Sequence, residues 1–290
     1  MIVSASRRTD IPAFYSEWLM NRLREGFVLV PNPRNPKRLT EVSLSPENVD
    51  CIVFWSKNPA PMLGKLAEIE RMGHRFHFSF TLTPYGRDAE PGVPPVDERL
   101  DTFVKLSDLL GPDRVDWRYD PVMTDGRFMM GCSPLSFHRE RFGALCAALA
   151  GRTERCIVSF VDVYAHLRKR IAPMDGTEIR ALAEILSDTA RRFGIPLFAC
   201  AEATDFSEFG IGRSSCIDGA KIGRIVGHPV RTAKDRGQRK ECRCVESVDI
   251  GTYDTCLHGC VYCYATTSPA AVTRRVGPHD PTSPLLVGRP

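Results

Sequence analysis

Short apolar runs rich in β-branched and aromatic residues alternate along the chain with longer amphipathic stretches. Residues 2–6, 51–55, 75–82, 114–118, 156–161 and 196–201 have the length and residue types of buried strands. Between them, residues 14–25, 61–72, 96–110, 134–150 and 177–193 have helical spacing, the last with Ile179, Leu182, Ala183 and Leu186 on one face. Strands and helices in strict alternation predict an α/β fold with a parallel sheet. A partial (β/α)6 TIM-like barrel accommodates six such units, and a doubly wound open sheet is the alternative.

Polar residues recur just past the C-terminal ends of these strands. Arg7, Arg8, Thr9 and Asp10 follow the first, Ser56, Lys57 and Asn58 the second, and Thr81 and Thr83 lie at the third. Arg118, Tyr119 and Asp120, then Asp162 and Tyr164, then Glu202 continue the series. In a (β/α) barrel those ends converge on one face and build the active site. The plainer explanation for any one of them is that strands end in solvent. After Glu202 the alternation stops. Residues 1–202 are therefore the expected barrel, 203–265 a cysteine-rich segment packed over its mouth, and 266–290, rich in Pro, Gly and Ser, an irregular tail.

At 290 residues and 43% hydrophobic, the chain can bury one substantial core, and its formal net charge of +4 neither demands nor excludes a nucleic-acid partner. The N-terminus runs directly into a strand without a signal-like stretch, and no apolar run reaches the roughly 18 residues of a membrane span. A soluble cytoplasmic protein with no membrane partner is the expectation. In that compartment the eleven cysteines point to metal or redox chemistry rather than disulfides.

Cys51, Cys132, Cys146 and Cys156 are scattered through apolar or helical contexts and are expected to be packing residues. The others crowd toward the C-terminus. Cys256, Cys260 and Cys263, in CLHGCVYCYA, form a CxxxCxxC triplet. Three thiolates within eight residues can each hold one iron of a [4Fe-4S] cube and leave the fourth iron without a protein ligand, free to bind a small molecule. The alternative is a zinc knuckle, which needs a fourth ligand such as His258. Gly259 lets the loop turn tightly, and Tyr262 and Tyr264 can cover an inorganic core. Cys242 and Cys244 form a CxC pair, with Cys216 upstream and Cys200 at the end of the sixth strand. Together these four could hold a second iron-sulfur cluster or a zinc ion; otherwise Cys200 is a core residue and the CxC pair a redox dithiol.

Among the charged groups, Arg7 and Arg8 could bind a carboxylate or phosphate, unless Asp10 neutralises one of them. Arg118 and Asp120, in WRYDP, could orient substrate or satisfy each other. Glu202 is a candidate contact for substrate or cofactor, and Tyr164 and His166 are candidate proton or hydrogen-atom relays. The basic run 231–243 would suit phosphate contacts or a solvated face.

The triplet, with an aromatic residue beside its last cysteine, resembles the signature of radical S-adenosylmethionine (SAM) enzymes, in which the open iron binds the amino and carboxylate groups of SAM. In most of that family the triplet follows the first barrel strand, whereas here it lies near the C-terminus. The chain as a whole resembles the DUF1848 family, through SRRTDIPAFYSEW at 6–18, FWSKNP at 54–59, WRYDP at 117–121 and CRCVESVDIGTYDTCLHGCVYCYA at 242–265. The C-terminal motif is also locally similar to that of spore photoproduct lyase, a radical SAM enzyme that repairs DNA. These resemblances imply an enzyme that cleaves SAM reductively and modifies a substrate, whether small molecule, peptide or nucleic acid. They also imply an external reductant such as flavodoxin or ferredoxin. By position, Lys57, Asn58, Glu202 and Tyr262 would contact SAM. Cys200, Cys216, Cys242 and Cys244 would be further family-type cysteines. The competing class is a non-catalytic iron-sulfur or zinc protein serving nucleic-acid binding or electron transfer.

Overall fold

The computed structural model describes residues 1–288. Eight strands form one parallel sheet in the order β10-β1-β4-β5-β6-β7-β8-β9. They are β1 (Ile2–Ala5), β4 (Cys51–Ser56), β5 (Phe76–Thr81), β6 (Val115–Val122), β7 (Cys156–Phe160), β8 (Leu197–Cys200), β9 (Gly212–Ser214) and β10 (Val248–Asp249). A separate antiparallel hairpin joins β2 (Phe27–Asn32) to β3 (Asn35–Ser43). The helices are α1 (Ile11–Phe14), α2 (Ser16–Glu25), α3 (Leu66–Arg71), α4 (Val96–Leu110), α5 (Pro134–Leu149), α6 (Gly176–Arg192), α7 (Gly219–Val226) and α8 (Pro269–Val276).

All six expected strands are present. Two more extend the sheet: β9 beside β8, and β10 returning from the C-terminal region to pair with β1. From β1 to β9 the strands lie in chain order with no reversal, so the sheet is wound in one direction, contrary to the doubly wound alternative. Among the described residues β9 and β10 are the two edges and do not pair with each other, so no closed barrel forms.

The period-2 alternation of each strand divides the residues between two faces. On β6, Val115, Trp117 and Tyr119 join the main core with Phe54, Phe76, Phe78, Phe80, Val158 and Ala199, packed against Leu106 of α4, Phe142 and Leu145 of α5, and Leu182 and Leu186 of α6. Asp116, Arg118 and Asp120 point the other way. This second face is buried too: Ile2, Cys51, Val53, Ile157 and Cys200 form an inner cluster with Cys216, Ile217, Ile222, Cys242 and Cys244. At its deep end Asp116 receives Arg155 Nη2 at 2.8 Å and Lys221 Nζ at 2.5 Å, so α7 plugs the inner face at the N-terminal ends of the strands.

Several expectations give way here. Residues 27–43, for which the sequence pattern named no element, form the β2–β3 hairpin. The segment 203–265 is less irregular than expected, since it carries β9, α7 and β10. Residues beyond 266 include α8 and a stretch bound to α2: Trp18 Nε1 donates to the carbonyls of Ser283 and Leu285, and Arg22 Nη2 to that of Thr282. Leu285 and Leu286 are buried. Cys51, Cys146 and Cys156 are buried as packing residues, but Cys132 is exposed.

Candidate active site

A cavity of about 360 Å³ lies at the C-terminal ends of the strands. It is lined from the ends of β1, β4, β6, β7 and β8 and from the loops that carry both cysteine groups. The strand-end residues Arg7, Arg8, Asp10, Lys57, Arg118, Asp120, Asp162 and Tyr164 all border it. Cys200, Cys216, Cys242, Cys244, Cys256, Cys260, Cys263 and Tyr262 do so as well. Asn58 and Glu202 do not; the Asn58 side chain caps the turn that follows, accepting from the Ala60 amide at 3.4 Å.

The CxxxCxxC loop is fastened to the first and second strand ends through one carboxylate. Asp10 accepts from Ala13 N at 3.0 Å as the N-cap of α1, from Ser56 Oγ at 2.8 Å and from the Lys57 amide at 2.7 Å. Its Oδ2 also lies 2.7 Å from Nε2 of His258, inside the triplet. The other ring nitrogen of His258 faces the Gly92 carbonyl at 3.2 Å, and the Gly92 amide donates back to the His258 carbonyl at 2.8 Å. A Cβ on Gly92 would stand 2.5 Å from the Leu257 carbonyl, so only glycine allows this approach. Gly259 has φ +66°, the left-handed conformation that turns the loop between Cys256 and Cys260. The Val261 amide donates to the Ala89 carbonyl at 3.0 Å, and Tyr264 OH to that of Arg7 at 2.6 Å. Asp10 therefore positions the loop and does not pair with Arg7 or Arg8, which face Asp235 at 3.8 Å and Asp249 at 3.9 Å.

Beside Cys260 lies a buried network absent from the sequence-based candidates. Glu90, 1% exposed, accepts from Lys57 Nζ at 2.8 Å and Thr83 Oγ1 at 2.7 Å, and also from Tyr262 OH; Arg99 Nη2 stands 3.6 Å away. Burial alone would raise its carboxyl, but the charges of Lys57 and Arg99 overcome that and hold it below the usual carboxylate range. Tyr262 is pushed well up by burial and by the Glu90 charge, so its hydroxyl stays protonated and donating. The Lys57 ammonium lies 5.4 Å from the Tyr262 ring centroid. Burial likewise raises the Cys256 thiol, with the neighbouring charges of Asp10 and Cys263 adding to it. Cys260 is raised by burial against the opposing pull of Lys57.

Across the cavity, Trp55 lies between two cations. The guanidinium carbons of Arg7 and Arg118 are each 5.2 Å from its ring centroid, and its Nε1 donates to Ser4 Oγ at 3.1 Å. Arg118 also donates to Cys216 Sγ and to Asp120, which in turn accepts from Ser159 Oγ at 2.5 Å. Arg118 and Asp120 thus satisfy each other in part. Arg8 donates to the Gly251 carbonyl at 3.1 Å and covers Tyr253. Glu202 accepts from the Phe160 amide at 2.9 Å; burial, reinforced by Asp162 and Asp120, raises its carboxyl to about 7. Tyr164 sits at the rim, 40% exposed, and His166 is a surface residue. In the basic run, Arg239 pairs with Asp162, Lys234 Nζ donates to the Lys240 carbonyl at 2.7 Å, and Arg231 faces Glu246 at 3.6 Å.

Among the described residues, no group of three or more His, Cys, Asp or Glu side chains stands ready to hold a metal ion. For the triplet this does not conflict with a cluster, because cluster thiolates bind separate irons and need not converge on one point. The donor set fits such a group: three thiols on one turning loop, all facing the cavity, with a cation beside one of them.

A sequence model described as "Domain of unknown function (DUF1848)" matches residues 2–265. The chain belongs to the DUF1848 family. All ten strands of the described residues and both cysteine groups fall inside the matched region. No curated protein matches this DUF1848 chain in sequence. Among solved structures, a provisionally assigned alpha-L-fucosidase from Bacteroides thetaiotaomicron VPI-5482 aligns with a TM-score of 0.32 and 8% identity, over 72% of this chain and 77% of that one. A likeness at that level carries no functional argument. Among the described residues, no helix is long and apolar enough to cross a membrane.

Proposed function

We propose that this DUF1848 protein is a radical SAM-type enzyme in which Cys256, Cys260 and Cys263 hold a [4Fe-4S] cluster at the cavity. One observation carries the reading: a loop close to the C-terminus is bound through His258 to Asp10, at the end of the first strand, and presents its cysteines to a cavity lined by strand ends. In this reading the sequentially wound sheet acts as a partial TIM-like barrel, and the late loop supplies what the first strand's loop supplies in most radical SAM enzymes. When bound and reduced, the cluster supplies one electron for breaking a carbon-sulfur bond of SAM.

The chain's own residues bind, orient and exclude water. The cavity, at about 360 Å³, lies within the range of about 300–1,000 Å³ usual for small-ligand sites. Arg8, partly exposed, offers a guanidinium to a carboxylate. Trp55, flanked by Arg7 and Arg118, gives a rigid wall with positive charge on its faces. Glu202, with a carboxyl raised to about 7, can hold or release a proton near neutrality. The Lys57–Glu90–Tyr262 network keeps the wall beside Cys260 fixed. Electrons would come from a flavodoxin or ferredoxin, and the substrate would be a small molecule, peptide or nucleic acid.

The competing reading is a nucleic-acid-binding or electron-transfer protein; in the basic run Arg239, Lys234 and Arg231 are engaged within the chain, while Arg236, Lys240 and Arg243 are exposed to solvent.

The test is anaerobic reconstitution with iron and sulfide, followed by dithionite and SAM. Charge-transfer absorbance should appear together with 5'-deoxyadenosine or a homocysteine-derived product, and Cys260→Ala should lose both. Bound iron with SAM left intact would overturn the catalytic reading.

A further inference from the structure

The second cysteine group forms a site of its own. Cys200 at the end of β8, Cys216 in the loop after β9, and Cys242 and Cys244 in the turn before β10 come together although up to 44 residues apart in sequence. The Cys200 and Cys216 sulfurs are 2.7 Å apart, and all four cysteines lie in one buried cluster that borders the cavity. We propose that these four cysteines form a tetrahedral four-thiolate site for a single thiophilic divalent ion, zinc, separate from the triplet.

Four observations support it. The first is spacing. Two thiolates on one tetrahedral zinc, with bonds of about 2.3 Å, stand roughly 3.8 Å apart, whereas a cubane places each thiolate on its own iron and spreads them wider. As they stand, Cys200 and Cys216 are closer than that separation, and among the described residues no three of the four surround an ion.

The second is charge. Four thiolates around a divalent ion carry a net charge of −2, and two guanidinium groups face them. Arg118 donates to Cys216, and Arg7 borders the same cavity as Cys216 and Cys244. Arg7 Nη2 is buried with no hydrogen-bond partner, as expected of a donor awaiting an anionic neighbour.

The third is backbone support: the Ile217 amide donates to Cys244 Sγ at 3.3 Å, and the Val245 amide to the Ile217 carbonyl at 3.1 Å. Amide bonds to the sulfur fix a ligand as outer-shell contacts do in metal sites. The fourth is the need for a tie. Between α7 and β10 the described chain forms no helix or strand, only the isolated bridge Lys234 to Val245 and a few backbone hydrogen bonds, so cross-linking through metal would add to the stability of this segment.

The test uses the full chain, purified anaerobically, and a Cys256→Ala/Cys260→Ala/Cys263→Ala variant that removes the triplet, so that failure of the cluster reading and of this one can be told apart. The triplet variant should retain about one zinc per chain. X-ray absorption at the zinc edge should show four sulfur neighbours at about 2.3 Å, and exchange with Co2+ should give intense thiolate charge-transfer bands. Cys242→Ser/Cys244→Ser should lose that zinc. Should this pair fail to fold, the absorption measurement on the triplet variant still decides. Iron with acid-labile sulfide in the triplet variant, no metal at all, or a Cys200–Cys216 disulfide found by mass spectrometry would each overturn the proposal.

Discussion

Asp10 and His258, 248 residues apart in the chain, meet at 2.7 Å in a buried pair that joins the first strand end to the CxxxCxxC loop. The aspartate is simultaneously a helix cap, an acceptor for the second strand end and the loop's anchor, so it cannot be removed without releasing three elements together.

Asp10→Ala should lower the free energy of unfolding by about 3 kcal/mol or more, since a buried charged acceptor leaves several donors unmatched. A double-mutant cycle with His258→Ala, read by urea unfolding, should show coupling of roughly 1–3 kcal/mol. Additive losses would mean that the pair is not the anchor.

Gly92→Ala should distort the triplet loop, because the added Cβ would meet the Leu257 carbonyl at 2.5 Å. A loss of about 1–3 kcal/mol is expected, with weaker retention of reconstituted iron. Gly64→Ala, where no atom lies within 4 Å of the added carbon, serves as the control and should be near neutral.

Glu90→Gln should be costly although nearly isosteric. It leaves Lys57 and Arg99 buried without their counter-charge, and breaking such a buried network typically costs about 3–5 kcal/mol. Chemical denaturation of the purified variant measures the loss directly; a change below about 0.5 kcal/mol would remove the network from the account of this wall.

Acid should destabilise the protein between about pH 6.5 and 4 through two buried histidines. Burial lowers His77 and His138 from 6.5 to about 4, in His77 with further help from Lys221 and Arg155. The unfolded chain takes up protons on them as the pH falls below 6.5, while the folded chain does not until near 4. The histidines' contribution is thus fully present above 6.5 and declines on acidification, by on the order of 3 kcal/mol for each, while Glu202, raised to about 7, takes up its proton sooner in the folded chain and offsets part of that loss between about pH 7 and 4.5. Asp116, held at about 2 by Lys221 and Arg155 despite burial, keeps its contribution through that window and loses it only below it. Unfolding free energies at several pH values, with His138→Gln as comparison, should show the slope and its reduction.

Much of the frame was readable from local pattern. Buried parallel strands such as Cys51–Ser56 and Phe76–Thr81 are near-continuous apolar runs, and amphipathic helices such as Val96–Leu110 mark themselves by period. The short strands β9 and β10 were not readable, because two or three residues carry no periodicity and owe their conformation to the neighbour they pair with. The same holds for Glu90. In sequence it lies in a Pro- and Gly-rich stretch; its partners Lys57, Thr83, Arg99 and Tyr262 come from four separate segments.

The sequence by itself determined the alternation of strands and helices, the residue types at the strand ends and the spacing of the cysteines, since these follow from side-chain chemistry within a few residues. Only the tertiary structure decided that Asp10 anchors a loop rather than an arginine, that Trp55 lies between Arg7 and Arg118, and that the two cysteine groups border one cavity. Those relations depend on contacts across as many as 248 residues, which local propensity does not encode and which arise when the sheet brings its strand ends together.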